Sequence, residues 1–308
     1  MRAQPAFVAL ALALGATLGL AACQQIVGIE AFSAATGGSG GAGGTGGQAG
    51  AGGSGGADAG NPCTGTSPGQ HGPPMAPMRR PDDTCFWIDA TEVSVADYAA
   101  FLPNAPSVQD APCAGNVADG GSGFEPAGSC TAALDGGVST EAGTDDTRPI
   151  TCVDWCDAFA YCAWAGKRLC HDDVKAPTDP QKSEFFLACS ASGSALYGCG
   201  VGCAATDCNG ARAGAGALAP VASKSACYEL AADGTTHVSD LSGNAAEWSF
   251  ACDGTTESDN CWTRGGSFAS SDESALQCSS HQPVPRTSAL PTVGFRCCAD
   301  PAPTDGGG

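Results

Sequence analysis

Three sets of residues in this sequence could do chemistry. The first is sulfur: 19 cysteines in 308 residues. Cys152 and Cys156, and Cys199, Cys203 and Cys208, are spaced as metal-binding thiolates often are, but in an exported chain such spacings read more readily as disulfides. The second is imidazole. His71, His171, His237 and His281 are the only histidines, and none is paired at i+4 as a metal-binding helix would have it. A Ser-His-Asp set can be drawn from Ser267, His281 and Asp240, yet nothing around Ser267 has the form of a nucleophile elbow. The third is oxygen. Ser239–Trp248 reads S-D-L-S-G-N-A-A-E-W, Trp262–Phe268 reads W-T-R-G-G-S-F, and Val293–Cys298 reads V-G-F-R-C-C. Carbonyl-rich turns, a Glu beside a Trp and a paired glycine imply a tightly folded, irregular core around these three pieces.

The rest of the chain has to deliver that core to an oxidising compartment and hold it together. Met1–Arg2 is a short positive start and Pro5–Leu20 is apolar, too short for a confident membrane span. Leu20-Ala21-Ala22-Cys23 has the form of a lipoprotein cleavage site, with lipidation expected on the Cys23 sulfur; an ordinary signal peptide is the competing reading. Residues 1–22 are therefore expected to be a lipoprotein signal peptide. Residues 23–62 are expected to be a lipidated tether and linker, because Thr36–Gly60 is almost entirely Gly, Ala and Ser and can bury nothing. A folded domain is expected over 63–300, with its core at 85–298, followed by a disordered tail at 301–308. Setting Cys23 aside leaves 18 cysteines, the even number that a fully paired set requires. The formal net charge of −19 opposes a phosphate backbone, so no nucleic-acid partner is expected.

Within the domain, order is expected to begin at Cys85, because Asn61–Asp83 is Pro-rich and irregular. Cys85–Asp89 alternates as a strand does. Ser94 should cap a helix with Asp97 completing a capping box; Val95, Tyr98 and Phe101 form its apolar face, and Pro103 stops it. Pro106–Thr147 lacks an apolar period and reads as an exposed excursion clipped by a disulfide, Cys113–Cys130 by proximity. Asp154 and Asp157 should cap a second helix, with Trp155, Phe159 and Cys162 on one face and Gly166 closing it. Proximity also suggests Cys252–Cys261.

The three core pieces, together with Cys85–Phe101, the helix string A-Y-C-A-W-A-G-K-R-L (Ala160–Leu169) and the P-V-A-S step at Pro220, resemble the formylglycine-generating enzymes, or sulfatase-modifying factors. The resemblance implies an α+β, loop-rich formylglycine-generating-enzyme fold related to C-type lectin folds, with little regular secondary structure. It implies calcium held by Asp240, Gly243, Ala245 and Glu247, two side-chain and two main-chain oxygens, as suits a hard cation. It implies disulfides Cys162–Cys297 and Cys189–Cys278, each contributing ~4–5 kcal/mol by loop closure. The family's oxidase chemistry uses Cu(I) on two thiolates, at positions that fall on Ser270 and Ala275 here. No copper is therefore expected, and no residue is assigned a catalytic role. The expected function is that of a non-catalytic binding or scaffold module in the cell envelope, presenting a face to an unknown protein or glycan and touching the membrane only through its lipid. The alternative is an oxidoreductase of the formylglycine-generating type, or another enzyme using the same pocket with altered chemistry.

Overall fold

The computed structural model describes residues 63, 67–109, 112–116, 123–132, 134, 137–210, 214 and 216–301. The signal-peptide, Cys23 and linker expectations fall outside the described residues. The fold is mixed and loop-rich, about 18% helical and 21% strand.

One four-stranded sheet has the order β1-β2-β10-β3, formed by β1 (Met75–Arg79), β2 (Cys85–Asp89), β10 (Cys297–Ala299) and β3 (Arg168–Leu169). All its pairings are antiparallel. Order thus starts before Cys85: Met75–Arg79 pairs with Cys85–Asp89 across a tight turn, and Cys63 is bonded to Cys85. The prolines misled here, because Pro77 needs no N–H where only one side of the strand is paired. The second sheet has the order β8-β7-β6-β9, from β6 (Ala246–Cys252), β7 (Asn260–Arg264), β8 (His281–Pro285) and β9 (Val293–Phe295). Its β6–β9 pairing is parallel and places Glu247 beside Gly294. A two-stranded ribbon, β4 (Tyr228–Leu230) with β5 (His237–Ser239), leads into the Asp240 turn.

Both helices expected from capping boxes form. α1 (Val95–Phe101) starts at Ser94, whose side chain and that of Asp97 each accept the other's backbone N–H. Its Val95, Tyr98 and Phe101 are fully buried. A single turn, α2 (Gly128–Thr131), precedes α3 (Trp155–Trp164), which is capped in the same way by Asp154 and Asp157. α4 (Glu184–Cys189) is capped by Ser183. Gly166 ends α3 in the left-handed region, φ 72°. Of the three residues expected on the inward face of α3, Trp155 and Cys162 are buried and Phe159 is not. Ala158, Tyr161 and Cys162 are fully buried, whereas Phe159 is 37% exposed.

The α3 cap makes stability depend on pH. Burial raises both carboxyls above their ordinary range, and the Asp154 charge raises Asp157 further. The native state therefore holds protons that the unfolded chain releases above about pH 4. This part of the stability is present at low pH and is lost as pH rises through the folded values. Asp157→Asn removes the repulsion, so the wild type should lose about 1 kcal/mol relative to that variant between pH 4.5 and 7.5 in urea unfolding. An unchanged difference across that range would contradict the assignment.

Nine disulfides pair all 18 described cysteines. Cys162 joins Cys297, Cys189 joins Cys278 and Cys252 joins Cys261. Cys113–Cys130 does not form: Cys113 bonds Cys156 on α3 and Cys130 bonds Cys152. The excursion is stapled to the core twice, not closed on itself. Its Phe124 is buried edge-on against Phe101, between the two staples. These disulfides fit an oxidising, extracellular environment. Among the described residues no helix is long and apolar enough to cross a membrane.

Candidate functional site

The Ser239–Trp248 stretch folds into a turn that three left-handed residues make possible: Asp240 (φ 60°), Gly243 (φ 84°) and Asn244 (φ 56°). Gly243 is required twice over, since a Cβ there would lie 2.5 Å from the Asn209 carbonyl oxygen. Asn244 locks the turn. Its Oδ1 accepts from Asn209 Nδ2 at 2.8 Å and from the Ala219 N–H at 2.9 Å, and its Nδ2 donates to Glu92 Oε2 at 2.8 Å. The other Glu92 oxygen accepts the Ala245 N–H at 2.9 Å.

Glu247, pointing in from β6, meets Arg296 in a buried two-pronged pair. Arg296 Nε and Nη2 each donate to a Glu247 oxygen at 2.7 Å. The guanidinium also donates to the Ser239 carbonyl at 2.8 Å and the Asp89 carbonyl at 3.0 Å. Asp89 in turn takes Lys167 Nζ at 2.6 Å and the Cys297 N–H at 2.9 Å. Asp240 accepts the Ala222 N–H at 2.6 Å.

Three buried carboxyls, on Glu92, Asp240 and Glu247, therefore share the field of one buried guanidinium. Burial raises all three, and their mutual repulsion adds to this for Glu92 and Asp240; the Asp240 carboxyl is pushed up to about 6. On Arg296 burial acts downward, but the carboxylates outweigh it and hold the guanidinium charged.

Of the expected calcium ligands, Asp240, Gly243 and Ala245 lie on the turn and Glu247 on the β6 strand that follows it. Three carboxyls face one buried guanidinium, and their oxygens, with the carbonyls of the turn, are hard donors. Glu247 also has a partner that its sequence reading lacked. Each of its oxygens has a second lone pair left over from the guanidinium. Glu92 and Arg296 were missed as site residues. Glu92 carried a signal, an acid placed between the apolar strand Cys85–Asp89 and a helix cap. Arg296 carried only its place in G-F-R-C.

The Arg264–Ser267 piece forms the neighbouring wall. Gly265 and Gly266 both have positive φ, and a Cβ on Gly266 would strike the Ala275 carbonyl. Ser270 Oγ accepts the Ser267 N–H at 3.0 Å. Ser270 and Ala275 therefore serve to fold this loop against the glycine pair. Among the described residues every cysteine is in a disulfide, so none offers a thiolate to a soft metal. Ser267, Asp240 and His281 form no relay in the hydrogen bonding: Ser267 Oγ accepts from the Ala269 N–H, and His281 Nδ1 lies 3.3 Å from the Ser279 carbonyl.

A disulfide-stapled α+β domain built around a buried acidic turn and a glycine-paired loop is the class that fold and site define. The chain belongs to the family of sulfatase-modifying factor enzyme 1-like domains, whose profile matches residues 46–301. Solved structures similar to this chain include PvdO from Pseudomonas aeruginosa, 19% identical with a TM-score of 0.45 over 73% of this chain and 91% of that one. Treponema denticola variable protein 1 is 15% identical, TM-score 0.45, over 74% and 95%. CarF is 17% identical, TM-score 0.46, over 76% and 96%. No curated protein matches the chain.

Proposed function

We propose that this chain is an exported binding module that keeps the family's scaffold and does not make formylglycine. The observation that carries the reading is the state of sulfur and of the loop after Arg264-Gly-Gly-Ser267. Ser270 and Ala275 stand where the resemblance puts the copper thiolates, and all 18 described cysteines are committed to disulfides. A serine hydroxyl stays protonated at neutral pH and is a poor ligand for Cu(I), and alanine offers none. The buried motifs then act as structure. They hold the turn, the glycine pair and β9 in register so that the outer loops present a fixed face. A lipid on Cys23 would place that face at the membrane surface of the cell envelope.

The test is incubation with Cu(I), O₂ and a peptide carrying the sulfatase cysteine motif, read by mass spectrometry. The thiol mass is expected to persist. Loss of the thiol with appearance of an aldehyde would overturn the reading in favour of the oxidoreductase.

The resident ion of this reading is calcium, held by the Asp240 and Glu247 carboxylates and the Gly243 and Ala245 carbonyls. Its support is the resemblance at these four positions and the grouping of three acidic side chains around one guanidinium. Bound there, the ion would offset their negative charge and stiffen the turn. Chelation should lower the melting temperature by several degrees at pH 7.5, and added calcium should restore it. A melting temperature indifferent to both would remove calcium from the account.

A further inference from the structure

Phe159 on α3 and Phe250 on β6 expose aromatic surface around Trp155, which is itself buried in the core, 5% exposed. The rings of Trp155, Phe159 and Phe250 lie 5.2, 6.0 and 6.1 Å apart, with interplanar angles of 12°, 32° and 25°. A single column of three rings would separate its outer pair by about twice the inner spacing. Near-equal spacings therefore describe a stepped cluster, with Trp155 buried at its base and Phe159 and Phe250 forming the presented platform. Phe159 and Phe250 are 37% and 41% exposed. His171 meets the Phe250 edge at 5.3 Å, and the Arg286 guanidinium lies 4.6 Å from the centre of the Trp155 ring.

Two adjacent clefts share this platform. One, of 570 Å³, includes Gln109 and Trp164 in its wall; the other, of 400 Å³, includes Asp172, Asp173 and Arg286. Both are lined by Pro112, Trp155 and Phe250. Each falls within the size range of small-ligand sites. Two wall residues carry unused hydrogen-bonding capacity. Gln109 is 9% exposed and its Nε2 has no partner; Arg286 is 1% exposed and its Nε has none. A buried donor left unpaired is unfavourable, and a ligand that supplies its acceptor gains from it.

The chemistry of the surface selects the occupant. A purely alkyl ligand would leave the Gln109 and Arg286 donors unpaired. A cation would meet Arg286 already covering the best ring. An anionic polymer would meet the exposed Asp173 on a chain of net charge −19. A neutral saccharide fits: its flat C–H faces lie on rings, and its hydroxyls pair with planar amide, carboxylate and guanidinium groups at the edge. Two clefts on one platform suit more than one sugar ring.

We propose that the exposed Phe159 and Phe250 rings, with Gln109 and Arg286 in the adjoining clefts, bind a neutral, β-linked oligosaccharide. The proposal rests on the reading of the chain as a binding module and names the ligand class. The experiment is calorimetric titration of the purified chain with cellohexaose and with the hexamer of N-acetylglucosamine, with tryptophan fluorescence as a second signal. At least one saccharide should bind and perturb the fluorescence. Phe250→Ala and Phe159→Ala should each weaken binding tenfold or more, and Gln109→Ala severalfold. Phe250→Ala, at the more exposed ring, should keep the wild-type melting temperature, so its loss of affinity would not be a loss of fold. Absence of binding by both saccharides, or binding that survives both aromatic replacements, overturns the proposal. So does selective binding of a proline-rich or lysine-rich peptide to the same rings. Mass spectrometry of the recovered saccharide separates the two readings. Cleavage or oxidation would sink the binding-module reading while leaving the ligand class standing; lack of binding would do the reverse.

Discussion

Arg296→Met is expected to destabilise the domain by about 3–5 kcal/mol at pH 7.5, the scale set by breaking a buried ion pair from one side. The variant removes the Glu247 partner and strands Glu92 and Asp240, which feel the same guanidinium. It also leaves the Ser239 and Asp89 carbonyls without a donor. The pH dependence identifies the cause. The deficit should shrink between pH 7.5 and 5, because the stranded carboxyls can take up protons and become neutral. Glu247→Gln should cost less than Arg296→Met, since Glu92 and Asp240 remain near the guanidinium. Urea unfolding in the presence of chelator, with disulfides intact, separates this from any cation effect. A deficit below about 1 kcal/mol, or one that is the same at both pH values, would mean that the network contributes little.

The second large effect lies in sulfur. Cys162–Cys297 and Cys170–Cys298 span 135 and 128 residues and end on adjacent cysteines of β10. Each therefore shortens the loop that the other closes. With one intact, removing the other should cost about 3 kcal/mol on the chain-entropy model, below the ~4–5 kcal/mol expected for a bridge acting alone. Removing both opens the long loop as well. That should cost about 7–8 kcal/mol, more than the sum of the two separate removals and comparable to the whole stability of many domains. The measurement is unfolding of Cys162→Ala/Cys297→Ala, of Cys170→Ala/Cys298→Ala and of the fourfold variant. Losses that simply add would show that the two bridges do not constrain one loop.

Local features of the chain were legible in the sequence because they are decided within a few residues. Ser94 with Asp97 and Asp154 with Asp157 fix two helix starts through contacts three residues apart. The β2 strand follows from alternation, and Gly166 from the left-handed residue that closes α3. The motif spellings around Asp240, Arg264 and Gly294 carried the family, and even cysteine parity matched a fully bonded set. What the sequence could not decide were contacts that depend on how distant pieces meet. Cys113 and Cys130 are near neighbours in the chain, but each bonds a different cysteine of the core, with Phe124 buried against Phe101 between them. Phe159 shares a helical stripe with Cys162, yet the second sheet leaves its ring at the surface beside Phe250, which no helical period could reveal. Glu92 and Arg296 lie 204 positions apart, each bound to the same turn by a different hydrogen bond or ion pair. Spacing along the chain reports one element at a time. The field that places three carboxyls around one guanidinium arises only when the turn, the first strand and the last strand close on each other and exclude water.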